Sequence, residues 1–176
     1  MMMVSQASAD DRPNIIVLLT DDQRWDTLGA MGNDTIQTPN VDRLAEEGVI
    51  FDHAYVTTSI CWASRASILT GQFDRRHGVL NQRELSGDQN RRTYPLILKE
   101  AGYRIGFIGK YGVGNPPVDA FDYWDAIGLG QPDYEHEDEQ GNYLHYTEIC
   151  EQSAVRFLES HDGARPFCLS VSFKAP

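Results

Sequence analysis

The sequence predicts an α/β fold, a mostly parallel β-sheet flanked by helices on both faces. Three observations carry that expectation. The runs Asn14–Thr20, Arg104–Gly109 and Phe167–Phe173 are short and largely apolar, as strands inside a parallel sheet must be. The stretches between them carry helical spacing with start and stop signals. Strands alternating with helices form βαβ units, whose crossovers place helices against the sheet.

The first run is continuously apolar and β-branched, so it reads as a strand buried on both faces. Thr38-Pro39 then opens a helix with proline at its first position, and Gly48 closes it. Val49–Phe51 and Ala54–Val56 suggest a short extended segment. Ser64–Leu69 fits a short helix with Gly71 as its stop. Tyr94–Ala101 is a further helix, stopped by Gly102, and leads into the second strand. A last helix spans Tyr146–Ser160, with Ile149, Cys150, Ala154, Phe157 and Leu158 at helical spacing. Between them, Gly112–Asn142 is rich in Gly, Pro and acids, and is expected to be irregular and to border a site. The chain stops just after the third strand, an unusual end for an α/β sheet, so a fragment is expected.

Composition narrows the partners. The 176 residues fit one domain and can bury a sizeable core. With 26 acidic and 15 basic side chains, the net charge of −11 argues against nucleic acid or an anionic membrane. The acidic run Asp133–Glu139 reads as a solvated loop. No apolar run is long enough to span a membrane, and the first residues show no complete signal peptide. Ala7-Ser8-Ala9 has the small residues of a cleavage-site remnant. Three cysteines make no disulfide framework, and Cys150 and Cys168 read as core thiols. Trp25, Trp62 and Trp124 are assigned to packing, with a pocket wall as the other use. Asn33-Asp34-Thr35 matches a glycosylation acceptor pattern.

Open parallel sheets bind ligands beyond the carboxyl ends of their strands. The first strand runs into Asp21-Asp22, adjacent carboxylates that repel unless a cation lies between them. Ca²⁺ or Mg²⁺ is the natural partner for such oxygen donors; the other reading is a helix cap beside a solvated side chain. The second strand ends at Lys110. Cys61 precedes a helix whose free N–H groups favour an anion, and Arg65 can return to the same end. The constellation suggests a metal-assisted site for a substrate anion. A thiolate nucleophile is one version, but neither His53 nor His77 has an argument for acting as its base.

Cys61-Trp-Ala-Ser-Arg65, followed by Leu69-Thr-Gly71, resembles the signature of the formylglycine-dependent sulfatases, in the alkaline-phosphatase-like superfamily. Arg12-Pro-Asn-Ile-Ile up to Asp21-Asp22, Thr38-Pro-Asn-Val-Asp-Arg-Leu-Ala, Gly102-Tyr103 up to Gly109-Lys110, and Pro166-Phe up to Phe173-Lys-Ala-Pro176 agree in order. The resemblance implies that residues 1–12 are a disordered N-terminus and 13–176 the N-terminal part of a sulfatase catalytic domain. It implies that a formylglycine-generating maturation enzyme oxidises Cys61 to an aldehyde. One hydroxyl of the hydrated aldehyde then attacks sulfur and displaces the alcohol. The other expels the sulfate as the aldehyde re-forms, a route closed to an ordinary serine ester. Asp21, Asp22 and the modified Cys61 would hold the metal, Arg65 would position the hydrate, and Lys110 would bind sulfate. The substrate implied is a sulfated small molecule or carbohydrate, and export is expected.

Two positions depart from the family pattern. Ala63 stands where Pro is commoner, and Gly112 where many relatives carry a histidine that handles the formylglycine proton. A phosphonate monoester or phosphodiester hydrolase of the same superfamily is the first alternative. An inactive sulfatase-like fragment that at most binds anions is the second.

Overall fold

The computed structural model describes residues 11–82 and 84–176. The disorder expected for residues 1–12, and the Ala7-Ser8-Ala9 remnant, fall outside the described residues up to residue 10. Arg12 lies 5.0 Å over the Tyr103 ring.

In chain order, β1 (Ile15–Leu19) leads to α1 (Pro39–Glu47) and α2 (Cys61–Thr70). Three single-turn helices follow: α3 (Asp74–His77), α4 (Val79–Gln82) and α5 (Gly87–Asn90). Then come α6 (Tyr94–Glu100), β2 (Arg104–Lys110), β3 (Tyr123–Ile127), β4 (Glu135–Glu137), β5 (Tyr143–His145), α7 (Tyr146–Glu159) and β6 (Phe167–Ser172). The sheet order is β1-β6-β2-β3, and every pairing within it is parallel.

Helices cover both faces, as the alternation of strand side chains requires. Ile105, Phe107 and Cys168 face the cluster built with Ala66 and Leu69 of α2 and Leu96 of α6. Ile108, Phe167, Leu169 and Val171 face Tyr146, Cys150 and Phe157 of α7. Gly106 permits this second contact, since a Cβ there would lie 2.7 Å from the Phe157 ring. Trp124 stacks on Phe107 at 5.6 Å and meets Phe121 and Tyr111, so its role is packing. Trp62 packs against the same cluster, whereas Trp25 is 75% exposed. Cys150 and Cys168 are free, buried thiols, and burial pushes both up to about 11.

Four expectations need correction. The first strand is not buried on both faces: Ile16 and Leu18 are 52% and 60% exposed. Register places them beside Leu169 and Val171, yet α7 covers only the latter pair. Residues 49–56 form no strand, and Val49, Phe51 and Tyr55 lie exposed. The stretch from Gly112 to Asn142 is not wholly irregular, because β3 pairs with β2 from Gly106↔Tyr123 to Lys110↔Ile127. The acidic run is solvated as expected, but Glu135–Glu137 forms the first strand of an antiparallel hairpin with β5.

Candidate active site

The carboxyl ends of β1, β6 and β2 meet at one edge, and the chemistry-bearing side chains collect there. Phe173 N–H donates to Leu19 O at 2.8 Å and Asp21 N–H to Ala175 O at 3.1 Å, so the exits of β1 and β6 stay joined. Asp22 follows with φ 54, the one non-glycine residue in the left-handed region among the described residues. Such a conformation costs on the order of 1–3 kcal/mol and concentrates at functional sites.

Helix α2 begins at Cys61, one turn earlier than the expected start at Ser64, with Ile60 as its N-cap and no capping side chain. Cys61 therefore lies in the first helical turn and is half-buried. Gly71 ends the helix in the left-handed conformation, as the sequence predicts. Ala63, Arg65, Ala66 and Leu69 form the buried stripe of this helix. That stripe sends Arg65 to the sheet edge.

There Arg65 is 3% exposed and meets three acceptors. One terminal nitrogen donates to Lys110 O at 2.6 Å and to the Ser172 hydroxyl; the other donates to Phe173 O at 3.0 Å. The second nitrogen also lies 3.4 Å from the Asp21 carboxylate. Lys110, also 3% exposed, donates its ammonium to the same Asp21 oxygen. Burial lowers the Arg65 guanidinium from its ordinary value, and Asp21, Cys61 and Asp22 oppose that shift. Cys61, Arg65, Lys110, Asp21 and Asp22 thus share one site.

Gly112 sits against this network with φ 76, and a Cβ there would lie 3.0 Å from Arg65 Cδ. A histidine here would strain the left-handed backbone and push the Arg65 stem aside by a few tenths of an ångström. Its N–H donates to Gly128 O at 2.9 Å, which fixes the close approach.

Sequence reasoning missed Ser172, whose place opposite Gly109 and beside Leu19 depends on strand register. It also missed the clamp ahead of Cys61. Thr57 donates to Asp74 at 2.6 Å, and Thr58 donates to the other oxygen of that carboxylate.

His77 is buried and lies 3.0 Å from Ser67 Oγ and 3.9 Å from Asp74. This is not a nucleophile–base pair. Val79 N–H donates to Nδ1 at 3.1 Å, so a neutral ring carries its proton on Nε2 and donates to Ser67. Burial holds His77 below the ordinary histidine range, and Asp74 only partly opposes this. Unfolding restores the ordinary value near 6.5, so the unfolded chain takes the proton more readily. Stability from this group is complete above that value and is lost as pH falls below it. The urea midpoint should therefore drop between about pH 7 and pH 5, and His77→Gln should remove part of the drop. Superimposable pH profiles for parent and variant would exclude His77 as the cause. His53 is exposed.

Asn33 uses its side-chain amide internally: Nδ2 donates to Asp26 O at 2.8 Å, while Oδ1 accepts from the Thr35 and Ile36 N–H groups. Among the described residues, no group of three or more His, Cys, Asp or Glu side chains converges as a ready metal cage. Asp21 and Asp22 fit a hard cation by donor chemistry, as two ligands of a larger shell.

The parallel sheet with helices on both faces is the alkaline-phosphatase-like α/β fold of the solved sulfatases that it matches. The sulfatase family model matches residues 13–176, and the chain belongs to the sulfatase family. It is 38% identical over 180 residues to an N-acetylglucosamine-6-O-sulfatase of Bacteroides thetaiotaomicron, covering 97% of this chain and 32% of that protein. It is 37% identical over 136 residues to an N-acetylgalactosamine-6-sulfatase of Canis lupus familiaris, covering 67% of this chain and 26% of that protein. A solved structure in complex with its substrate, D-glucosamine-2-N,6-O-disulfate, superposes with TM-score 0.79 at 36% identity. That match covers 94% of this chain and 35% of the other. The chain thus spans between 26% and 35% of the length of these relatives.

Proposed function

We propose that this chain forms the N-terminal part, residues 13–176, of a catalytic domain that hydrolyses an organic sulfate ester. The observation that carries the reading is the placement of Cys61 at the head of α2 beside the buried Arg65–Asp21–Lys110 network. A cysteine there, close enough to Arg65 for the two charges to interact, suits attack on an anionic ester.

In this reading a maturation enzyme converts Cys61 to formylglycine. The carbon is oxidised by two electrons, oxygen enters and the sulfur leaves as sulfide, so an external two-electron oxidant is required. Arg65, locked by Lys110 O, Ser172 and Phe173 O, then holds the hydrate in place. Lys110 neutralises the sulfate. Asp21 and Asp22 would hold Ca²⁺ or Mg²⁺, which when bound supplies Lewis acidity to the nucleophilic hydroxyl. With Gly112 in place of histidine, proton transfer falls to another group of the complete site.

The substrate we assign is a sulfated amino sugar, esterified at the 6-hydroxyl. The relative matched along 97% of this chain supports this, since it is named for that linkage. It also favours sulfate over a phosphonate or phosphodiester. No helix among the described residues is long and apolar enough to cross a membrane. Export to a periplasmic, extracellular or lysosomal location belongs to the same proposal.

Mass spectrometry of the tryptic peptide Leu44–Arg65, from the full-length polypeptide made with a maturation enzyme, should show the aldehyde at Cys61. The same protein should release sulfate from N-acetylglucosamine 6-sulfate. A persistent thiol, where a control sulfatase is converted, would transfer the assignment to the inactive, anion-binding reading. Turnover of an aryl phosphonate monoester without sulfate release would transfer it to the phosphonate hydrolases.

A further inference from the structure

The two cations at the sheet edge share a single buried carboxylate. Asp21, 8% exposed, lies between the Lys110 ammonium and Arg65, both 3% exposed. The second carboxylate of the site, Asp22, is exposed and acts on Arg65 only at longer range. Arg65 has further partners in Lys110 O, Ser172 and Phe173 O. Asp21 is the partner the structure gives the Lys110 ammonium. A buried ammonium stripped of its carboxylate is strongly disfavoured unless another anion replaces it.

We propose that Lys110 is the resident counter-ion of Asp21 and that a divalent cation takes its place, turning Lys110 into an anion receptor. This rests on the reading of Asp21 and Asp22 as metal ligands. The exchange follows from competition for one carboxylate. A divalent cation on Asp21 would repel the ammonium and draw on the same carboxylate charge. Lys110 is then buried and unpaired, and a sulfate group restores its balance. Metal binding and anion binding are thereby coupled, and linkage makes the coupling reciprocal.

The test measures Ca²⁺ affinity calorimetrically in the full-length polypeptide, with no substrate present. Lys110→Met removes the competitor and should bind Ca²⁺ about 10-fold to 100-fold more tightly than the parent. Lys110→Arg keeps the positive charge and should stay close to the parent. In the parent, saturating Ca²⁺ should tighten inorganic sulfate binding by about 10-fold or more, and Lys110→Met should lose most of that gain. The sulfate titration needs only the parent protein, so it decides the matter even if the methionine variant does not fold. Equal or weaker Ca²⁺ binding by a folded Lys110→Met, or sulfate affinity indifferent to Ca²⁺, overturns the exchange while leaving the metal site standing. A parent that binds neither Ca²⁺ nor Mg²⁺ overturns both together.

Discussion

Replacing Cys61 by serine is expected to abolish multiple turnover while sparing the fold. Cys61 is half-buried at the start of α2, and a hydroxyl of similar size fits the same place. Steady-state sulfate release should fall on the order of 10⁴–10⁶-fold, the range reached when a covalent nucleophile is lost. A serine hydroxyl has only one oxygen on its carbon, so any sulfate it captures stays as a stable ester. Incubation with substrate should thus leave a sulfated Leu44–Arg65 peptide in the serine variant and none in the parent. Steady-state turnover by the serine variant near the parental rate would eliminate Cys61 as nucleophile, and the formylglycine chemistry with it.

Gly109→Ala should be the most damaging small substitution at the site. Gly109 lies inside β2 with φ 89, in register with Ser172 of β6. A Cβ there would stand 2.2 Å from the Ser172 carbonyl oxygen and 3.4 Å from the Cys150 sulfur. The first neighbour is backbone of a paired strand and cannot swing aside. Left-handed strain and overpacking together should cost about 2–5 kcal/mol, read as a lowered urea midpoint. Any folded remainder should be impaired too, because moving Ser172 disturbs the hydroxyl that Arg65 grips. A loss below about 0.5 kcal/mol, the size of an ordinary surface change, would show that β2 and β6 separate easily here.

The sequence exposes those parts of the fold that local pattern controls. The apolar runs of β1, β2 and β6 mark the sheet, and Asp21 and Lys110 stand at strand ends because the runs stop there. Cys61 and Arg65 were found by motif and by their helical separation. What failed depends on distant partners. Ile16 and Leu18 look as apolar as Ile15 and Val17, and only the position of α7 decides which face is covered. β3 reads Tyr-Trp-Asp-Ala-Ile among glycines and acids, too mixed to signal a strand. Its place is set from outside, and the ladder carries on past it where Tyr111 N–H donates to Ile127 O at 2.9 Å. Ser172 is one polar residue in a strand, and its meaning arises only when the register brings Arg65 to it. Gly112 was noted as a departure, but the Arg65 stem that fills its space is a tertiary fact.

The burial of Arg65 bears on timing. Ala63 is fully buried, Arg65 is 3% exposed, and its guanidinium is spent on β2 and on the end of β6. A visiting enzyme that must read Cys-x-Ala-Ser-Arg as a peptide cannot grip those side chains once the sheet has formed. On the proposed reading, conversion of Cys61 would therefore compete with folding. In that reading the Cys61–Arg65 segment would be open to the enzyme only until residues 104–110 and 167–173 arrive and close over it. Mutations that speed this closure would yield a well-folded protein with an unconverted thiol, a defect of schedule that no measurement of stability would reveal.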